Sequence, residues 1–240
     1  MKIFCIIIGI LAVNGVYGEI PKCKYEDEAC FITAAHHVLE NHPGGLPEVN
    51  LLAIDPFPLK TFNLQRNPSS PVNVELKLTD ATMDGLKGLK FSTFKAFAAD
   101  LSGRNSITAT LPSLIIKGKY TLDGNVLVLP IKGNGNAEIK FINLKVSYSF
   151  DLKKVVKDGQ TFVAVEHVKM QLEPENVQFQ FDGLFDGDAS LQKTTNDFIN
   201  SNWKEIYQEL QTGITKPISL VIKAYINKFL EHKPYADHFQ

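Results

Sequence analysis

From Asp182 to Leu230 apolar residues return at helical spacing: Leu191, Phe198, Ile199, Ile206, Leu210, Ile214, Ile218, Val221, Ile222, Tyr225, Ile226, Phe229 and Leu230. The run predicts a helix far longer than the usual three turns or so. Asp186 and Asp188 flank Gly187 just before it, and either carboxylate is placed to accept from first-turn amides. Gly213 and Pro217 are the breakers within it, and Pro217 predicts a kink or a split into two helices. A shorter helix is expected from about Asp27, as N-cap, to Asn41. Its stripe is Phe31, Ala34, Ala35, Val38 and His42, and His42-Pro43-Gly44-Gly45 stops it.

Between the helices the period changes from helical to two. Val72, Val74, Leu76 and Leu78 alternate with polar residues, as do Ala137, Ile139 and Phe141, then Leu144, Val146, Tyr148, Phe150 and Leu152. The apolar face slips by one position between Phe141 and Leu144, which predicts a β-bulge. Tyr120 to Asn125 reads as a hairpin turn into Val126–Ile131, Gly133-Asn134-Gly135-Asn136 as a second turn or bulge, and Lys157-Asp158-Gly159-Gln160 as a third turn. Val177, Phe179 and Phe181 close the strand region. Long strands joined by short turns imply an antiparallel sheet, and bulges and glycines imply that it curls. The expected fold is α+β, with a long C-terminal helix in a highly curved antiparallel β-sheet. The Leu46–Leu59 link between the first helix and the sheet carries Pro47, Pro56 and Pro58, which keep it extended.

Residues 1–18 change the compartment. Lys2, an apolar run from Ile3 to Val13 and Val16-Tyr17-Gly18 read as a signal peptide, with residues 19–240 as one domain. The run is shorter than the roughly 20 residues of a membrane-spanning helix. The mature chain is therefore expected outside the cell, with no transmembrane segment. Cys5 leaves with the peptide, and in an oxidising compartment Cys23 and Cys30 most simply pair. A metal site joining them to His36 and His37 is the rival, against which stand the cysteine spacing and the divergent faces of adjacent histidines. A formal net charge of -1, without a basic block, argues against a nucleic-acid partner.

Catalytic patterns are missing. There is no Gly-x-Ser-x-Gly elbow, no phosphate loop leading into a helix and no His-Glu-x-x-His. A calcium loop starting at Asp182 would need a glutamate where Lys193 stands. No cofactor, metal or catalytic residue is expected. Sixteen phenylalanines, 7 tyrosines and 1 tryptophan suit an apolar pocket or a solid core alike.

Four groups of residues resemble the insect Takeout and juvenile hormone-binding protein family. They are the Cys23/Cys30 pair near the mature N-terminus; Gly45-Leu46-Pro47-Glu48 with Ile54-Asp55-Pro56; Gly118-x-Tyr120 followed by Gly124-x-Val126-Leu127-Val128-Leu129-Pro130-Ile131-x-Gly133-x-Gly135; and Leu184-Phe185-Asp186-Gly187-Asp188-x-x-Leu191 with Asn196-x-Phe198-Ile199-Asn200-x-Asn202-Trp203. The single cysteine pair favours the Takeout branch. The resemblance implies a helix wrapped by the sheet around an apolar tunnel, similar to half of a bactericidal/permeability-increasing module. It also implies a monomeric secreted carrier of juvenile hormone, a related terpenoid or a fatty-acyl lipid, in hormone, chemosensory, circadian or feeding physiology. A secreted surface-interaction or defence protein recognising microbial lipid is the alternative. The candidate ligand-binding residues are Leu52, Phe141, Val146, Tyr148, Phe150, Phe198, Ile199 and Trp203. Tyr148 is the candidate hydroxyl donor, with Tyr120 a weaker second, and Leu52 is placed to close one end.

Overall fold

The structure, a computed structural model, describes residues 21–240; the segment read as a signal peptide lies outside them. Seven strands form one antiparallel sheet: β1 (Phe57–Leu64), β2 (Val72–Asp84), β3 (Lys90–Lys95), β4 (Asn105–Val126), β5 (Leu129–Lys157), β6 (Gln160–Glu173) and β7 (Asn176–Phe181). The order is β1-β2-β4-β5-β6, with β3 on β4 and β7 on β5. β4 has 22 residues and β5 has 29. A straight strand as long as β5 would reach about 95 Å, several times the roughly 18 Å radius of gyration of a chain this long. The sheet must curl, and it does so without closing.

The bend is legible in both long strands. In β5 the buried positions are Ala137, Ile139 and Phe141, then Leu144, Tyr148 and Phe150. In β4 they are Ala109 and Leu111, then Leu114 and Ile116. Leu111 pairs with Leu144 and Leu114 with Phe141, so the two slips face each other and the ladder keeps its register. Pro112 and Asn143 occupy the kink, and Asn143 has a φ of 48°. The β-bulge expected there does not form: the slip is a paired fold line across two strands with the register unbroken.

Two expected turns are not turns. Tyr120 to Asn125 continues β4, and the reversal comes at Leu127-Val128, between the pair Val126 and Leu129. The second, Gly133 to Asn136, lies inside β5. A Cβ on Gly135 would stand 2.3 Å from the Asp182 carbonyl oxygen, so this glycine permits close backbone approach rather than a reversal. Local composition could not separate those two roles. Asp158-Gly159 does turn the chain, between Lys157 and Gln160.

Among the described residues three α-helices complete the fold: α1 (Glu28–Asn41), α2 (Ala189–Ser201) and α3 (Trp203–Leu230). Asp27 caps α1, accepting from the Cys30 amide at 3.0 Å, and Cys23 and Cys30 form a disulfide with Cα atoms 5.6 Å apart. Asp188, not Asp186, caps α2, accepting from the Ser190 and Leu191 amides. The long run does split, but at Asn202, whose side chain donates to the Phe198 carbonyl; α3 passes through Gly213 and Pro217 unbroken. Gly213 serves packing: a Cβ there would lie 2.5 Å from Leu64 Cδ1 of β1.

Two of the helices cover sheet edges. Glu28 and His36 of α1 accept from the Phe94 and Phe91 amides of β3. Asn196 and Asn200 of α2 each accept from and donate to one residue of β7, Phe181 and Phe179 respectively, at 2.8–3.0 Å. Open strand edges invite pairing with other chains, and side chains here take that pairing themselves.

Candidate ligand-binding site

The curled sheet and α3 enclose an apolar cavity. Its wall is Leu59, Phe62 and Leu64 from β1; Val72, Val74, Leu76 and Leu78 from β2; Ile116, Leu122 and Val126 from β4; Ile131, Ile139 and Phe141 from β5; Phe179 and Phe181 from β7; Ile199 from α2; and Ile206, Tyr207, Leu210, Ile214 and Ile218 from α3. The period-two faces of five strands meet the period-3.6 stripe of a helix. No polar atom is exposed on the wall. Tyr207 turns its hydroxyl outward, donating to the Leu172 carbonyl at 2.8 Å. The space is small, with an open volume of about 60 Å³.

A second apolar space lies farther along α3. It is a cleft lined by Phe31 and neighbouring residues of α1, by Phe91 and Phe94 of β3, by Phe97, by Phe229 and Leu230 of α3, and by His238 and Phe239 of the C-terminal tail. Its open room is larger, about 340 Å³, and it communicates with solvent. The tail closes over it: Tyr235 donates to the Ala98 carbonyl at 2.9 Å, and the Gln240 amide to the Cys23 carbonyl at 3.1 Å.

Tyr148 and Phe150 stand between the two spaces. Tyr148 donates to the Ser219 carbonyl at 3.4 Å, one residue beyond the last cavity residue of α3, Ile218. Its ring is 5.7 Å from that of Phe150, which in turn lies 6.3 Å from Phe97 of the cleft. The interior is therefore two spaces in line, divided by aromatic rings, and not one open bore.

The candidate residues separate accordingly. Phe141 and Ile199 are on the cavity wall. Val146, Phe198 and Trp203 pack against the same core without reaching the wall. Tyr148 and Phe150 belong to the dividing cluster. Leu52 is 49% exposed and lines neither space; its carbonyl instead accepts from the Tyr225 hydroxyl. Tyr120 donates to the Asp182 carbonyl at 2.9 Å and faces Phe181, outside the cavity. Burial pushes the hydroxyls of Tyr120, Tyr148, Tyr207 and Tyr225 up to about 12, so all four remain neutral donors at any physiological pH.

Sequence reasoning missed most of the β1 and β2 wall, although the alternation of Val72 to Leu78 was its signal. It also missed Asn196 and Asn200, whose signal was two amides four residues apart beside Ile199. Among the described residues, no group of three or more His, Cys, Asp or Glu is arranged to hold a metal ion. None of the described helices is long and apolar enough to cross a membrane.

The family model for haemolymph juvenile hormone binding protein matches residues 3–240. The chain belongs to this family. It is 24% identical over 234 residues to the circadian clock-controlled protein daywake of Drosophila melanogaster, covering 95% of this chain and 90% of that protein, and daywake of Drosophila yakuba is equally similar. The crystal structure of Epiphyas postvittana Takeout 1 superposes with a TM-score of 0.77 at 26% identity, covering 90% of this chain and 97% of that one. The Takeout-like architecture of a large curved sheet with a long C-terminal helix is thus shown for this family member from two directions.

Proposed function

We propose that this protein is a secreted carrier of a small lipophilic molecule, held in the cavity between the sheet and α3. One observation carries the reading: a small internal cavity whose entire wall is apolar, inside a member of the juvenile hormone binding protein family. Such a wall offers burial and nothing else. Each methylene group leaving water gains about 0.8 kcal/mol and association subtracts at least about 4 kcal/mol, so micromolar binding, about 8 kcal/mol net, asks for roughly fifteen buried carbons and no charged contact. The wall supplies no nucleophile, acid or base, which favours transport over catalysis.

The ligand class follows from shape and polarity. Juvenile hormone, a related terpenoid or a fatty-acyl chain each presents mostly hydrocarbon with one weakly polar end. The open room is small, so such a ligand enters by turning wall side chains aside, and part of the burial gain is spent on that rearrangement. Tyr148 sets the usable length: with its ring in place a ligand ends near Ile218, and with the ring turned away it reaches the phenylalanine cleft. Clock-controlled expression, by analogy with daywake, is a further reading that a transcript time course would check.

The deciding experiment is native mass spectrometry of the secreted protein, organic extraction of whatever dissociates, and calorimetric titration with juvenile hormone, a terpenoid and fatty acids. A stoichiometric lipid, or saturable binding of one of these, is expected. Bare protein together with no binding in any titration would sink the carrier reading.

A further inference from the structure

β5 is bounded by two two-residue turns that could hardly differ more. At one end Asp158 and Gly159 both take positive φ, 49° and 74°, in the residue types that favoured hairpin turns use. At the other end the turn is Leu127-Val128. Leu127 takes a φ of 55°, at a position where glycine or asparagine would sit without strain. Val128 is 90% exposed. The whole tip, Val126-Leu127-Val128-Leu129-Pro130-Ile131, carries no charge, and neither does the adjoining loop from Asn67 to Pro71, whose Pro71 carbonyl accepts from the Leu127 amide. Leu127 and Leu129 are half-buried, Leu127 against the core, so the apolar surface this arrangement offers to solvent is Val128 with Pro130, held out at the apex.

The location gives the tip a use. Val126 and Ile131, which flank it, are both on the cavity wall. The first charged residues behind the apex are Lys132 and its ladder partner Asp123, which is ion-paired with Arg66. We propose that the Leu127–Val128 tip is a shallow insertion point that docks the protein on the surface of an uncharged, phosphatidylcholine-type bilayer, with the Val126–Ile131 end of the cavity against the lipid. A narrow wedge suits a bilayer. A protein partner would need about 800 Å² of matching surface, far more than a two-residue apex offers. Apolar side chains enter the acyl boundary while Lys132 remains among the headgroups.

The test uses the full secreted protein and phosphatidylcholine vesicles in a flotation assay, with Val128→Asp and, as control, Val156→Asp. Val156 is the exposed valine (63%) beside the Asp158-Gly159 turn. Wild type is expected to float at millimolar lipid, V128D to partition about tenfold less, and V156D to stay within about twofold of wild type. Unchanged thermal melting of V128D shows that the fold is retained. Failure of wild type to float, equal flotation of V128D, or an equal loss in V156D would each overturn the proposal. So would a wild-type dimer in analytical ultracentrifugation that V128D dissolves while neither protein floats; the tip would then be a self-association site. Docking is measured on lipid alone, so it stands or falls separately from ligand carriage. A protein that floats through Val128 but carries no lipid and binds none of the titrated ligands breaks the carrier reading and leaves this one intact.

Discussion

The enclosed cavity and the phenylalanine cleft lie along the same helix, yet they are built from different materials. The cavity is walled by five paired strands of one sheet, and its helix side chains are mostly aliphatic. The cleft is walled by α1, the short edge strand β3 and the C-terminal tail, joined by a disulfide and a few hydrogen bonds. The first space is small because a continuous sheet holds its wall together. The second is larger because its aromatic walls come from separate pieces that meet at a junction. Rigidity and room are thus divided between the ends, with Tyr148 and Phe150 as the partition.

Breaking the partition should have the largest effect. Phe150→Ala removes a fully buried ring from the dense divider and is expected to cost about 4–5 kcal/mol in urea unfolding. Phe141→Ala, at a wall that already borders empty space, should cost less, about 3 kcal/mol, and should enlarge the cavity. Equal or reversed costs would mean that the divider is no better packed than the wall. Asn196→Ala leaves the Phe181 amide and carbonyl without partners and is expected to cost about 2 kcal/mol; normal stability would show that water replaces the side chain. Gly213→Ala gains helix propensity, up to about 1 kcal/mol, while pushing Leu64 into the cavity. Stability should hold or rise as ligand affinity falls, and loss of both together would show that Leu64 cannot move.

The smallest effect is in pH, and it has opposite signs at the two ends. Tyrosines around the cavity, Tyr148 and Tyr207, ionise near 10 when unfolded and near 12 when folded. Both states are neutral below pH 10. Between about 10 and 12 the unfolded chain ionises first, so stability falls as pH rises through that window. His238 at the cleft behaves in reverse. Burial, reinforced by the Lys233 charge, holds it below the usual 6.5, so the unfolded chain takes up the proton first and stability falls as pH drops below that value. Chemical denaturation across pH should show an alkaline loss reduced in Tyr148→Phe and an acid loss reduced in His238→Phe. A mutation that changes the opposite limb would break the assignment.

Local order was legible wherever one residue's neighbours in sequence decide its state. Asp27 as a cap, Asp158-Gly159 as a turn, the face slip at Phe141/Leu144 and the helical stripe to Leu230 are short-range patterns of period, charge and backbone freedom. The errors share a cause as well. Gly124, Gly135 and Gly213 were read as breaks, but each accommodates a segment distant in sequence: β2, Asp182 and Leu64. The helix broke at Asn202, whose backbone leaves the helical region, rather than at Pro217.

The chain's sequence by itself therefore determined the elements, the antiparallel class, the family and the apolar character of the interior. Only the tertiary structure decided which apolar residues face empty space, that Phe141 and Ile199 do so while Tyr148 and Phe150 divide the interior, and that Leu52 lines neither space. Hydrophobicity marks a side chain as destined for the interior. Whether another side chain fills the space in front of it depends on how far two long strands curl, which is a property of their pairing and of no single position.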